Sequence, residues 1–228
     1  MKHGFGRKRN LVLYSGGNES TNQLLHKALV GLQGLKARSF TYVPFSQENG
    51  SHFFTRIKKR YSRFGVKKFV YFAVDAEHTQ KEMRAALRSD IIYLAGGNTF
   101  YFLKHLRESG FLKELTKQMK NGKSIAGLSA GALILTPTIY LAGYPKHDCD
   151  LNEVRLKNLK SIGATDFEFF PHYVSSVPTN KALLSYSRRN QRSIYACPDG
   201  SGIVVRGIEM RFIGPVFLFH KGQKIKVN

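Results

Sequence analysis

The sequence predicts an α/β protein: helices wrapped around a mainly parallel sheet, with antiparallel strands at the C-terminal edge. In the first half of the chain, short apolar runs alternate with segments of helical spacing, which is the pattern of parallel strands joined by crossover helices. Beyond Phe167 the apolar runs are short and closely spaced, as in hairpins. The chain has 228 residues, 42% of them hydrophobic, enough for one large globular domain with a full core. No repeat, low-complexity tract or linker divides it. Residues 1–228 therefore read as a single domain, with 1–10 as a flexible basic N-terminus.

Leu11 to Ser15 is a short apolar strand that runs into the loop Gly16-Gly17-Asn18. From Thr21 to Leu32 the residues Leu24, Leu25, Ala28, Leu29 and Leu32 recur at helical spacing. Phe40 to Phe45 is a second strand, followed by a basic helix over Phe53 to Arg63. Lys68 to Val74 is aromatic and β-branched enough for a third strand, His78 to Arg88 reads as a helix, and Ile91 to Ala95 as a fourth strand. Gly96-Gly97-Asn98-Thr99 opens a helix that Gly110 stops, and Leu112 to Asn121 forms another. Further on, a short helix is expected over Asn152 to Lys160 and one over Lys181 to Arg189. Strands are expected at Phe167 to Phe170, Ser193 to Ala196, Gly202 to Val205, Glu209 to Ile213 and Val216 to Phe219.

No apolar run approaches the roughly 20 residues a membrane helix needs, and the run after the basic N-terminus ends at Tyr14, too short for a secretory signal. Cys149 and Cys197 lie far apart without metal-type spacing, which fits a reduced, cytoplasmic chain. The net charge of +21 creates a field that attracts polyanions and acidic substrates, so nucleic acid enters as a candidate partner. The densest basic run, Arg56 to Lys68, reads more simply as the solvated side of a helix whose apolar side is Phe53, Ile57 and Tyr61.

The chain is organised around Lys123 to Leu135, KSIAGLSAGALIL: a strand, a glycine-flanked turn and a helix start. Gly127-Leu128-Ser129-Ala130-Gly131 fits G-x-S-x-G, in which a serine on a sharp strand-to-helix corner exposes its hydroxyl. The same five residues also fit an ordinary turn with a capping serine. A nucleophilic serine needs a base and a group to orient that base. Among eight histidines, His172 stands out because it follows the strand-like FEFFP at a strand end. Asp199, in the turn Pro198-Asp199-Gly200 after another strand, is the chosen acid, with Asp148 and Asp150 as alternatives. Gly97 and Ala130 can offer backbone N–H groups to an oxyanion, one from each loop. His147-Asp148-Cys149-Asp150 is too contiguous to converge on one ion, so neither a metal nor another cofactor is expected. The order Ser129, His172, Asp199 also differs from that of the α/β-hydrolases.

In that order and spacing, GGNTFYFLKHL, GLSAGALIL, FFPHYV and CPDGSGIVV resemble the S51 serine peptidases, which include aspartyl dipeptidase (peptidase E) and, more distantly, cyanophycinase. The resemblance covers about Leu11 to Phe219. It implies a three-layer, flavodoxin-like sandwich of the class I glutamine amidotransferase type. It also implies Ser129 as nucleophile, His172 as base, Asp199 as the acid, and an oxyanion hole from Gly97 and Ala130. The dipeptidases carry an acid- and arginine-rich G-E-T-R-E-type segment after the Pro-His pair. Here Val174 to Gln191 reads VSSVPTNKALLSYSRRNQ, leaving Arg188 and Arg189, with Asn98, as the candidate substrate-binding residues. The expected partner is a small peptide, with no membrane association, and the expected assembly is a monomer or homodimer. A non-catalytic amidotransferase-like protein that binds polyanions is the alternative.

Overall fold

The computed structural model describes residues 9–34, 37–48 and 50–228. The expected flexible N-terminus lies mostly outside the described residues. Within it, Asn10 already begins a strand, and Arg9 donates from Nε to the carbonyl of Gly207 at 3.0 Å.

The strand–helix alternation takes the form β1 (Asn10–Tyr14), α1 (Gln23–Gly31), β2 (Ser39–Val43), α2 (Gly50–Ser62), β3 (Lys68–Tyr71), α3 (Gln80–Arg88), β4 (Ile91–Leu94), α4 (Thr99–Glu108), α5 (Phe111–Lys120), β5 (Ser124–Leu128) and α6 (Ala130–Leu135). After a long irregular segment come β6 (Glu168–Phe170), α7 (Val177–Asn190), β7 (Ile194–Ala196), β8 (Gly202–Arg206), β9 (Glu209–Ile213), β10 (Phe217–His220) and β11 (Gln223–Lys226).

The strands divide between two sheets, where the sequence suggested one. The larger has the order β3-β2-β4-β5-β1-β8-β9, with β1 through β5 parallel and β8 and β9 antiparallel at the edge. The smaller has the order β11-β10-β7-β6, with β6 and β7 parallel and joined through α7. Strand alternation explains how the larger sheet buries both faces. Leu11, Leu13, Ile92, Leu94 and Ile125 face one core with α3 to α6. Val12, Tyr14, Ile91, Tyr93 and Ala126 face the other with α1 and α2. The smaller sheet joins the first of these cores through Phe169, Ile194 and Phe219.

The expected helix over Asn152 to Lys160 does not form. The Asn152 side chain takes over the local hydrogen bonds: Oδ1 accepts from the Leu156 amide at 2.8 Å and Nδ2 donates to the Leu156 carbonyl at 2.9 Å. Arg107 holds the segment extended by donating to the carbonyls of Asn158 and Lys160, and Lys160 bridges to Thr138. The third strand ends at Tyr71 rather than Val74, and β11 follows the last strand that the sequence suggested. Among the described residues, no helix is long and apolar enough to cross a membrane.

Candidate active site

Register sets the location. Tyr14 at the end of β1 pairs with Leu128 at the end of β5 and with Gly202 at the start of β8. Ser15, Ser129 and Ser201 therefore meet at the C-terminal end of the parallel strands of the larger sheet. There, Ser129 donates its amide to the Tyr14 carbonyl at 3.0 Å, and Ser15 donates its own to the Ser201 carbonyl at 3.0 Å.

The serine corner is tight. Ser129 has φ 50° and ψ −108°, a left-handed conformation that a residue with a side chain holds only when its surroundings impose it. Both flanking glycines are sterically required. A Cβ on Gly127 would lie 2.3 Å from the Gly131 carbonyl carbon, and one on Gly131 would lie 2.3 Å from the Leu94 carbonyl oxygen.

The smaller sheet supplies the other side chains. His172 follows β6, and Asp199 lies on the segment that leaves β7 for β8. His172 Nε2 stands 2.7 Å from Ser129 Oγ, and its Nδ1 stands 2.7 Å from Asp199 Oδ1. A carboxylate only accepts hydrogen bonds, so Nδ1 carries the ring proton and Nε2 is left to accept from the serine hydroxyl. The His172 and Asp199 side chains are 51% and 54% exposed, so this relay lies on an open rim. The turn geometry and the acid coincide: Ser201 donates its amide to the Pro198 carbonyl at 3.1 Å, with Gly200 at φ 81°.

Two residues read as plain strand-end and loop in the sequence hold this arrangement. The Ser15 hydroxyl donates to the Cys197 carbonyl at 2.6 Å and accepts from the His172 amide at 2.7 Å, tying the two sheets together beneath the histidine. Gly16 lies against the imidazole and the carboxylate, with no room there for a side chain. The sequence signal for both is their place, directly after a buried strand.

The loop after β4 approaches the corner at Gly96, where a Cβ would lie 3.5 Å from that of Ser129; at Gly97, with φ 140°, a Cβ would run into the Phe45 ring at 2.1 Å. Among the described residues, the amides of Gly97 and Ala130 have no hydrogen-bond acceptor, whereas that of Gly131 is taken by the Ala95 carbonyl at 3.1 Å. Asn98 is engaged elsewhere. It caps α4 by accepting from the Tyr101 amide at 3.0 Å and donates to the Leu151 carbonyl at 2.8 Å. Asp150 is also committed, accepting from the amide and hydroxyl of Thr99 at 2.8 and 2.6 Å.

Arg188 and Arg189 are not brought to the triad. They lie in the last turn of α7, some 18 Å along the helix from its start near His172. Arg188 sits beside Gly222 and Arg189 lines a separate groove with Tyr140 and Lys157. Two arginines of α2, Arg56 and Arg60, line the cleft that adjoins the serine corner at Leu128, about 470 Å³ in volume and shared with Phe53, Tyr93 and Gly97. Phe53, Arg56, Ile57 and Arg60 share one helical face, so the basic run is only partly a solvated surface. Among the described residues, no group of three or more His, Cys, Asp or Glu side chains could hold a metal ion.

Under the cleft, the His26 Nδ1 lies 3.3 Å from the Tyr14 hydroxyl and 3.1 Å from that of Tyr61. Burial, reinforced by the Arg60 charge, lowers the His26 pKa to about 3, so the ring is neutral. Burial raises the phenols of Tyr14 and Tyr93 well above their usual value.

Similarity to known proteins follows the same segments. An uncharacterized peptidase of Listeria monocytogenes is 34% identical over 127 residues, 54% of this chain and 60% of its own length. Peptidase E of a Nostoc species is 23% identical over 95% of this chain and 91% of its own. A Listeria monocytogenes protein solved as a candidate peptidase E superposes with a TM-score of 0.70 at 25% identity, covering 90% of this chain and 98% of that one. The sequence model of peptidase family S51 matches residues 11–213, from β1 to the end of β9, and the chain belongs to that family.

Proposed function

We propose that the protein is a serine-type peptidase that hydrolyses small peptides with an acidic N-terminal residue, on a fold of the class I glutamine amidotransferase type. The observation that carries this reading is the pair of 2.7 Å contacts through His172 to Ser129 and Asp199. His172 Nε2 takes the hydroxyl proton as Ser129 Oγ attacks the scissile carbonyl. The free amides of Gly97 and Ala130 stabilise the oxyanion, and Asp199 keeps the ring in the required tautomer. Collapse breaks the C–N bond, and the proton on Nε2 passes to the leaving amine. Water, deprotonated by the same nitrogen, then attacks the acyl-enzyme, which releases the acid product and restores the hydroxyl. Arg56 and Arg60 in the adjoining cleft support the acidic preference.

A panel of dipeptides with acidic, amide and neutral first residues tests the reading, with Ser129→Ala as control and fluorophosphonate labelling as a second probe. Turnover that survives in Ser129→Ala would refute it. The exposed charges Lys58, Lys59 and Lys67 favour a second reading, association of this face with nucleic acid. Its check is a steep loss of RNA or DNA binding as salt is raised.

A further inference from the structure

On the face of the larger sheet opposite α2, a groove of about 720 Å³ lies between the end of α7 and the irregular segment that closes at Lys160. Four cations line it, Lys157, Lys160, Arg189 and Arg192, and no lining residue is acidic. Among the described residues, Lys157, Lys160 and Arg189 have no carboxylate partner. Arg192 has one. Its Nη1 donates at 2.8 Å to Oε1 of Glu168, whose side chain is fully buried while that of Arg192 stays 44% exposed. That carboxylate anchors the guanidinium and presents no charge to the solvent. Like charges gathered on one groove repel one another while it is empty, and a polyanion relieves the repulsion.

The groove also presents an aromatic face. Tyr140 is 44% exposed and opens the short 3-10 turn Tyr140–Gly143. Its ring stacks on the buried Tyr186, with centroids 5.2 Å apart and planes 29° from parallel, and Tyr144 packs against both at 5.9 and 5.8 Å. A ring held on such a stack keeps its orientation before any ligand arrives, so little ordering remains to be done on binding. The opposite wall is equally fixed. Arg107 donates to the carbonyls of Asn158 and Lys160, so Lys157 and Lys160 are carried by a tethered segment.

We propose that this groove binds single-stranded nucleic acid, with a base stacked on Tyr140 and backbone phosphates held by Lys157, Lys160, Arg189 and Arg192. Fixed cations beside an exposed, rigid ring suit a chain in which anions alternate with flat bases. A duplex keeps its bases stacked on one another and has none to lay on the ring. Inorganic polyphosphate uses the cations and leaves the ring idle. The site is independent of the peptidase reading and of the α2 face, since Arg189 ends α7 far from His172 and the groove shares no residue with the cleft beside Ser129.

Fluorescence anisotropy with the full chain and a labelled oligouridylate about 12 nucleotides long tests the assignment. Tyr140→Ala should weaken binding about tenfold with an unchanged salt dependence, whereas Tyr140→Phe should bind normally. Lys157→Gln combined with Lys160→Gln should reduce the slope of log affinity against log salt by about 1.4, or about 0.7 for each lost contact. Lys58→Gln combined with Lys59→Gln, on α2, should change neither quantity. Thermal melts confirm that each variant is folded, and if Tyr140→Ala is not, the exposed lysine pair decides alone. Absence of binding at about 100 mM salt overturns the proposal, as does a duplex that binds as tightly as the single strand. A folded Tyr140→Ala that binds like the parent overturns it too. A loss confined to the α2 pair assigns the interaction to that face and removes this site.

Discussion

Gly16 and Asp199 are packed so closely that a single added methyl would displace one of them: a Cβ on Gly16 would lie 2.2 Å from Asp199 Oδ1 and 2.4 Å from His172 Cε1. Gly16→Ala should therefore fold, because the backbone there needs no left-handed angle, yet lose about a hundredfold in kcat through misplacement of the relay. Steady-state kinetics beside a circular dichroism melt check this. A fully active variant would show that the relay tolerates the shift.

The Ser15 hydroxyl serves two backbone groups at once, the buried Cys197 carbonyl and the partly buried His172 amide. Ser15→Ala leaves the Cys197 carbonyl and the His172 amide without that partner, at a cost of about 1–3 kcal/mol in stability. The urea midpoint should fall with an unchanged slope, and kcat should fall with it. A loss of stability alone would make Ser15 a structural tie with no influence on the histidine.

Ser129 holds a backbone conformation that glycine adopts more readily. Ser129→Ala should be inactive with little change in stability. Ser129→Gly should be inactive and more stable by about 1 kcal/mol, as part of the local strain is released. Thermal melts of the two variants side by side measure the difference.

His26 should make the fold acid-sensitive. Its pKa is lowered to about 3 in the folded protein, from an ordinary value of 6.5, so the unfolded chain binds the proton more readily. The stability it contributes is present above pH 6.5 and is lost as pH falls from there toward 3, by up to about 1.4 kcal/mol per pH unit. His26→Gln should flatten that part of the stability profile, measured by urea unfolding at pH 7.5 and pH 4.5. An unaltered slope would assign the acid sensitivity to other groups.

The Ser129, His172 and Asp199 cluster was legible because each member sits at a strand end within a short motif, and strand ends are where parallel sheets expose function. The Gly97 loop and the tight serine corner were legible for the same reason. The cationic residues were harder to place. Arg188 and Arg189 follow Pro171-His172 closely in sequence, but α7 carries them away along its length, while Arg56 and Arg60 arrive from a helix much earlier in the chain. Their signal was the helical spacing shared with Phe53 and Ile57, which a reading by net charge overlooks. Asn152 shows a different difficulty. Its side chain competes with the helix for backbone partners, and local spacing does not reveal which wins. The division into two sheets was equally hidden, because strand pairing depends on long-range register.

That division has a consequence for how the protein fails. Ser129 rides on one sheet and His172 on the other, with Asp199 on the strand-to-strand passage between them. The proposed nucleophile and base are in this sense separate halves of a mechanism, joined by side-chain packing and the Ser15 hydroxyl rather than by a shared hydrogen-bonded ladder. A small slip at that seam, far short of unfolding, separates them. Activity is therefore the most sensitive reporter of how the two sheets are seated, and mild denaturant should silence the enzyme before either sheet melts.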